Sequence, residues 1–263
     1  MIEQVLQLVR AAGDVVMEVY RSEFAVQGKA DASPVTEADT RAESLIVAGL
    51  RALDSTIPIV AEEAFARGER AEIGSRFWLV DPLDGTREFV DRNGEFTVNV
   101  ALIENGLPVL GVVGAPAIGK SGRVFAGVLG QGAFVEEAGQ RRAIHCRAVP
   151  AAGLTVLASR SHGDAPALAR FLAGRHVAAT AYAGSSLKLC LIAEGQADLY
   201  PRFGRTMEWD IAAGHAVLAA AGGHIMVLSG APLTYGKPGF ENPHFVAEGA
   251  QGKPRNGPAQ APF

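Results

Sequence analysis

Phe77-Trp78-Leu79-Val80-Asp81-Pro82-Leu83-Asp84-Gly85-Thr86 is the stretch on which the reading of this chain turns. Its apolar opening reads as a short buried strand that carries Asp81 to the sheet rim. Pro82 lacks an N–H and is expected to end the ladder there, while Gly85 permits a tight turn. Such a turn can aim Asp81, Asp84 and the Leu83 carbonyl at one point, an all-oxygen donor set of the kind hard cations such as Mg²⁺ prefer. Thr86 then opens a short helix whose free N–H groups and positive dipole end favour a phosphate. Alone, the stretch reads equally well as a plain Asp-rich turn. An EF-hand loop fits worse, because it needs oxygens at alternate positions and a later closing Glu than Glu88.

Working outward, two further acidic positions stand at element ends. Glu62-Glu63 follows the apolar run Ile57–Val60, a second short strand. Asp210, between Trp209 and a helix expected from Ile211, reads as an N-cap whose carboxylate the helix dipole keeps ionised, as a metal ligand must be. Each has a bland alternative: a solvated surface pair for Glu62-Glu63, and a cap and nothing more for Asp210.

The rest of the first half reads as helices on a largely antiparallel sheet. Leu6, Val9, Gly13, Val16 and Tyr20 recur at helical spacing over residues 2–22. After Ser33-Pro34, Thr36 caps a helix running to about Leu53, with Asp39 in its first turn. Phe96–Ile103 and Val109–Ala115 flank Glu104-Asn105-Gly106, the chemistry of a β-hairpin turn. Val124–Val128 and Ala133–Glu136 read as further strands. In the second half, strands at Leu154–Ala158, Ala197–Tyr200 and His224–Leu228 alternate with helices at Ala165–Ala173, Ser186–Glu194 and Ile211–Ala221, an α/β arrangement. A boundary near residues 140–150, at Glu137–Arg142, divides an N-terminal α+β domain, 1–140, from a C-terminal α/β domain, 141–250. The Gly- and Pro-rich residues 251–263 are expected to form a mobile tail.

Composition narrows the function. The 263 residues are enough for a sizeable core, and 48% hydrophobic with 20% charged content is ordinary for a globular protein. A net charge of -4 without a basic stripe speaks against nucleic acid as partner. An acidic chain that binds phosphate must supply positive charge locally, from metal ions, helix N-termini or a few Lys and Arg. Cys146 and Cys190 form no CxxC pair and read as reduced thiols of a cytoplasmic protein. No run approaches the length of an integral membrane span, and the N-terminus lacks the pattern of a signal peptide.

The chain resembles the inositol monophosphatase superfamily. Its marks are an acidic pair after a strand, then W-[VIL]-[VIL]-D-P-[IL]-D-G-T, then W-D-x-A-A-G. They stand here as Val60-Ala61-Glu62-Glu63, Trp78–Thr86 and Trp209-Asp210-Ile211-Ala212-Ala213-Gly214, and the likeness runs over about 2–248 as one unit. Ser33-Pro34-Val35-Thr36-Glu37-Ala38-Asp39 matches the family's S-P-[VL]-T-x-A-D. Within the superfamily it looks most like the CysQ-type 3'(2'),5'-bisphosphate nucleotidases. Pointing there are Arg87-Glu88-Phe89, Asn93-Gly94-Glu95-Phe96-Thr97-Val98-Asn99, Gly184-Ser185-Ser186-Leu187-Lys188 and Glu194 to Arg202. Ala61 stands where Ser or Gly is usual, and Arg87 where Lys is common.

The resemblance implies a layered αβαβα sandwich of the inositol monophosphatase and fructose-1,6-bisphosphatase type. It implies a Mg²⁺-dependent phosphatase with two or three ions, held by Glu62, Asp81, Asp84, Asp210 and the Leu83 carbonyl. Asp81 would bridge two ions, with Glu62 and Leu83 on one side and Asp84 and Asp210 on the other. Asp39 and Thr86 would orient the attacking water, with Glu62 beside them, and no phosphoenzyme would form. Asp84, Gly85, Thr86, Gly184, Ser185, Ser186, Lys188, Arg202 and Asp210 would contact substrate. Lys188 and Arg202 also read as ordinary surface cations, and His162 as a surface histidine. The implied reaction is hydrolysis of adenosine 3',5'-bisphosphate to AMP and phosphate, clearing a by-product of sulfate assimilation, with lithium inhibition. The alternatives are an inositol or fructose phosphate phosphatase on the same scaffold, and a regulatory binding protein with a retired site. The expected setting is the cytoplasm, with association at the inner membrane's cytoplasmic face also open, as a monomer or homodimer.

Overall fold

A computed structural model describes residues 1–23, 27–28, 34–159 and 164–249. The reading of His162, that of Ser33, and the expected tail at 251–263 therefore lie outside the described residues. The first half runs α1 (Ile2–Arg21), β1 (Gln27–Gly28), β2 (Pro34–Val35), α2 (Glu37–Leu53), β3 (Ile59–Ala61), α3 (Glu62–Ala66), β4 (Arg76–Asp84) and α4 (Thr86–Val90). It continues through β5 (Thr97–Glu104), β6 (Leu107–Ala115), β7 (Arg123–Val128), β8 (Gly132–Glu137) and β9 (Gln140–Ile144). The second half holds β10 (Leu154–Ser159), α5 (Ala165–Leu172), β11 (Val177–Ala183), α6 (Leu187–Ala193), β12 (Leu199–Arg202), α7 (Glu208–Ala220), β13 (His224–Val227) and β14 (Phe245–Glu248).

Strands β3 to β9 form one sheet in sequence order, parallel only between β3 and β4. Strand alternation gives it two apolar faces. Trp78, Val80, Val98, Val100 and Val112 pack with α1 and α2, whereas Phe77, Leu79, Ile103, Val113 and Phe125 pack toward α6 and α7. The five-stranded second sheet, ordered β11-β10-β12-β14-β13, lies beyond those helices and adds Tyr200 and Phe245 to the same core. Its outer face, with Val156, Leu199 and Val246, is covered by Leu168, Phe171 and Leu172 of α5. The layers are thus α, β, α, β, α, as the resemblance implied. Helix α7 is buried nearly all round because it is sandwiched between sheets. It approaches β6 and β7 at glycines: a Cβ on Gly111 would stand 2.3 Å from the Ala213 carbonyl oxygen, and one on Gly127 2.7 Å from Val217 Cα.

Two local expectations change. Pro82 does not end its strand, which runs on to Asp84 through an irregularity between Asp81 and Asp84. At the expected boundary, near 140–150, Glu137–Arg142 holds the turn into β9, which pairs with β8, and the change of sheet comes between Ile144 and Leu154. Helix α7 begins at Glu208, one turn earlier than expected, so Asp210 is its third residue and Met207 its cap.

Candidate active site

The β4 irregularity builds the centre of the site. Asp81 pairs with Asn99 and Asp84 with Thr97, so three steps along β4 face two along β5. One extra residue reverses the side-chain parity beyond it. Asp81 and Asp84, which would point to opposite faces of a regular strand, are therefore brought to one face. The Asp81 Oδ1 accepts the Leu83 N–H at 3.0 Å, which fixes the bend. Gly85 leaves the turn at φ 87°, the left-handed region where a Cβ is unwelcome. A Cβ there would also crowd the Glu95 carbonyl oxygen at 3.2 Å.

The neighbouring elements add the remaining acids. Ala61 of β3 pairs in parallel with Val80 of β4, so Glu62, just past the end of β3, and Asp81, inside β4, come side by side. The two side chains share a hydrogen bond. Asp210 enters from the first turn of α7, its Oδ2 accepting the Met207 N–H at 2.9 Å. Its backbone carbonyl accepts the Ser186 hydroxyl at 3.0 Å and the Asn99 amide at 3.4 Å. Asp84 Oδ2 accepts the Ser186 N–H at 2.7 Å. Side chains from β3–α3, β4, α6 and α7 thus meet at one place.

The carboxyls act on one another through their charges. Burial raises Asp81 well above the usual carboxylate range, and the charges of Glu62, Asp84 and Asp210 raise it further. Asp210 is raised likewise, by burial and then by Asp84 and Glu62. Asp84 is lifted by burial to about 6, against the pull of Lys188 and the Ser186 N–H. Without a compensating cation the cluster prefers to hold protons. An all-oxygen set that repels itself in this way is matched to a hard divalent ion. Among the described residues, however, no three His, Cys, Asp or Glu side chains are gathered tightly enough to grip one ion as they stand. Asp81, Asp84 and Asp210 each commit one oxygen to a backbone N–H, and the mutual repulsion opposes a closer approach.

Asp39 is buried beside this cluster as the third residue of α2. Its Oδ2 takes the Thr36 N–H at 2.7 Å and the Thr36 hydroxyl at 2.8 Å, while its Oδ1 is buried without a hydrogen-bond partner. Burial raises its carboxyl to about 7, the Thr36 bonds oppose this, and the charges of Glu63 and Glu62 add to it. The Thr86 hydroxyl donates to the Leu83 carbonyl at 3.2 Å. Asp39 and Thr86 therefore do not bond each other here, each being tied within its own turn.

The residues expected to contact substrate divide. Ser185 holds a left-handed backbone at φ 44°, and its buried hydroxyl has no partner. Lys188 is not a surface cation: it is buried, with its Nζ donating to the Ser185 and Ala183 carbonyls at 2.7 and 3.1 Å. Burial lowers it to about 8, although the Asp84 charge pulls the other way. Arg202 lies close enough to stabilise ionised Asp210. Its donors go to the Gly204 and Arg205 carbonyls and the Ser159 hydroxyl. Sequence reasoning gave no separate role to Asn99 or Glu95. The polar residues Thr97 and Asn99, alternating with buried valines, were a legible signal.

The chain matches the Inositol monophosphatase family over residues 1–253. It is 50% identical over 248 residues to the 3'(2'),5'-bisphosphate nucleotidase CysQ of Escherichia coli O6:H1, covering 93% of this chain and 98% of that one. Among solved structures it is similar to CysQ from Bacteroides thetaiotaomicron, with a TM-score of 0.76 and 36% identity over 94% of this chain and 96% of the other. An inositol monophosphatase from Anabaena (Nostoc) sp. PCC 7120 shares the fold at a TM-score of 0.74 and 23% identity, over 95% of this chain and 90% of that one.

Proposed function

Because the chain belongs to the inositol monophosphatase family, we infer that it is a 3'(2'),5'-bisphosphate nucleotidase, hydrolysing the 3'-phosphate of adenosine 3',5'-bisphosphate to give AMP and phosphate. The observation that carries this reading is the 50% identity to CysQ along nearly the whole of that protein. The site supports it with acids from separate segments turned toward one another, Asp81 buried and Glu62, Asp84 and Asp210 partly buried. Glu62, Asp81, Asp84, Asp210 and the Leu83 carbonyl would hold Mg²⁺, two or three ions in number. Bound Mg²⁺ supplies charge compensation for the leaving oxygen and acidifies water.

The chain's own groups orient the reactants. The unpartnered Oδ1 of Asp39 accepts a proton of the attacking water, its carboxyl being poised near neutrality by burial. The Thr86 hydroxyl turns from the Leu83 carbonyl to hold the same water. Gly85 and Thr86 cradle the phosphate, with Gly184, Ser185 and Ser186 facing it from the second half of the chain. The unused Ser185 hydroxyl is a ready donor to the substrate. Lys188 and Arg202 act mainly through their field, since their donors already hold backbone carbonyls. Among the described residues no helix is long and apolar enough to cross a membrane. Both cysteines are free thiols, in keeping with a reducing cytoplasm.

The test is phosphate release from adenosine 3',5'-bisphosphate, inositol 1-phosphate and fructose 1,6-bisphosphate, each with Mg²⁺ and with EDTA. The expected result is Mg²⁺-dependent turnover with the nucleotide preferred in kcat/KM. A sugar phosphate preferred would overturn the substrate, and no Mg²⁺-stimulated release from any would leave a binding protein on an enzyme fold.

A further inference from the structure

The Gly184-Ser185-Ser186 turn sits at the seam between the two halves and is fastened on several sides. Ser186 holds Asp84 by its N–H and the Asp210 carbonyl by its hydroxyl. Lys188 holds the Ser185 and Ala183 carbonyls from below. The fastening at the head of the turn comes from Glu95, in the loop between α4 and β5: its Oε2 accepts the Gly184 N–H at 2.9 Å. Glu95 is itself fixed by the Asn93 side chain, which accepts the Glu95 N–H at 2.8 Å.

The approach at this point leaves no slack. A Cβ on Gly184 would stand 2.5 Å from the Glu95 carbonyl oxygen and 3.0 Å from the Glu88 Cγ. The Gly85 turn rests on the same Glu95 carbonyl. The backbone of residue 95 therefore supports the Gly85 turn, while its side chain ties down the turn that faces it. Ser185 is held at a positive φ in between, a conformation that persists only where its surroundings enforce it.

We propose that Glu95 is a positioning residue, which sets the gap between the Gly85-Thr86 turn and the Gly184–Ser186 turn by accepting the Gly184 N–H. It acts through the substrate-facing loop, whose Gly184 N–H its side chain accepts. The role requires an acceptor at this position and not a negative charge. It rests on the reading of the site as a phosphatase, but on no particular substrate.

The test compares Glu95→Ala and Glu95→Gln with the wild type, using whichever phosphomonoester of the panel the wild type turns over best. Glu95→Ala is expected to raise KM about tenfold, the size that loss of one hydrogen bond to a charged group gives, with kcat at saturating substrate within about twofold. Glu95→Gln keeps an acceptor and restores KM to within about twofold. Amide hydrogen exchange in the metal-free protein gives a second readout, with the Gly184 N–H exchanging about tenfold faster in the Ala variant and near the wild-type rate in the Gln variant. Wild-type KM in Glu95→Ala, a loss confined to kcat, or equal impairment of both variants would each overturn the proposal. A wild type that hydrolyses only a sugar phosphate would overturn the nucleotide reading and leave this one standing.

Discussion

Asp39 should make the metal-free protein less stable as the pH rises, and removing its charge should reverse that. Its carboxyl is buried, with 1% of its surface exposed. The folded state holds the proton up to about pH 7, against 3.8 for the free group. Between those limits the folded chain binds more protons than the unfolded one, so stability falls with rising pH. The linkage integral gives a cost of about 2 kcal/mol at pH 5 and about 4 kcal/mol at pH 8. Asparagine at 39 keeps an oxygen for Thr36 and does not titrate. In urea unfolding with EDTA, the stability of Asp39→Asn relative to wild type should therefore grow by roughly 2–3 kcal/mol from pH 5 to pH 8. Turnover with Mg²⁺ should fall by on the order of a hundredfold or more, because the amide cannot take a proton from water. A stability difference that stayed constant between the two pH values, or shrank, would refute the burial argument for Asp39.

Three further outcomes are expected. Asp84→Asn should lower kcat by on the order of a hundredfold in the phosphate-release assay, as losses of charge stabilisation commonly do. Burial depresses His215, which bonds the Tyr235 hydroxyl at 2.9 Å, to about 3. Its stability contribution is full above its ordinary 6.5 and is lost as the pH falls, so the wild type should lose about 2 kcal/mol more than His215→Gln between pH 8 and pH 5 in urea melts. Gly111→Ala drives a methyl into the backbone of α7 and should cost about 3 kcal/mol in the same melts, whereas Gly74→Ala, with nothing within 4 Å, should stay within about 0.5 kcal/mol.

Much of the layered fold was legible because its signals are local. The α1 periodicity, the Thr36 cap and the Asn105-Gly106 turn, with φ of 51° and 77°, each act within a few residues. What escaped depends on partners distant in sequence. Strand β11 is exposed along most of its length and shows no alternation to read, while β9 and β14 are recognisable only by their pairing. The bulge at Pro82 requires knowledge of how β5 lies alongside. Of the candidate site, the acids could be named from the sequence because Glu62 follows a short strand, Asp81 and Asp84 flank a Pro-Leu turn before Gly85, and Asp210 stands in the first turn of a helix. The burial of Lys188 and the tie from Glu95 to Gly184 could not, because each joins segments that only the folded chain brings together.

Helix α7 brings Asp210 to acids that were all synthesised more than a hundred residues earlier, and it seats itself against Gly111 and Gly127 of the first sheet. A chain still emerging from the ribosome can complete every strand of that sheet and yet lack the last acidic group. On the proposed role of Asp210, nascent chains or molecules cut before this helix would be silent toward phosphate esters, and the ability to cleave them would arrive only when the helix docks.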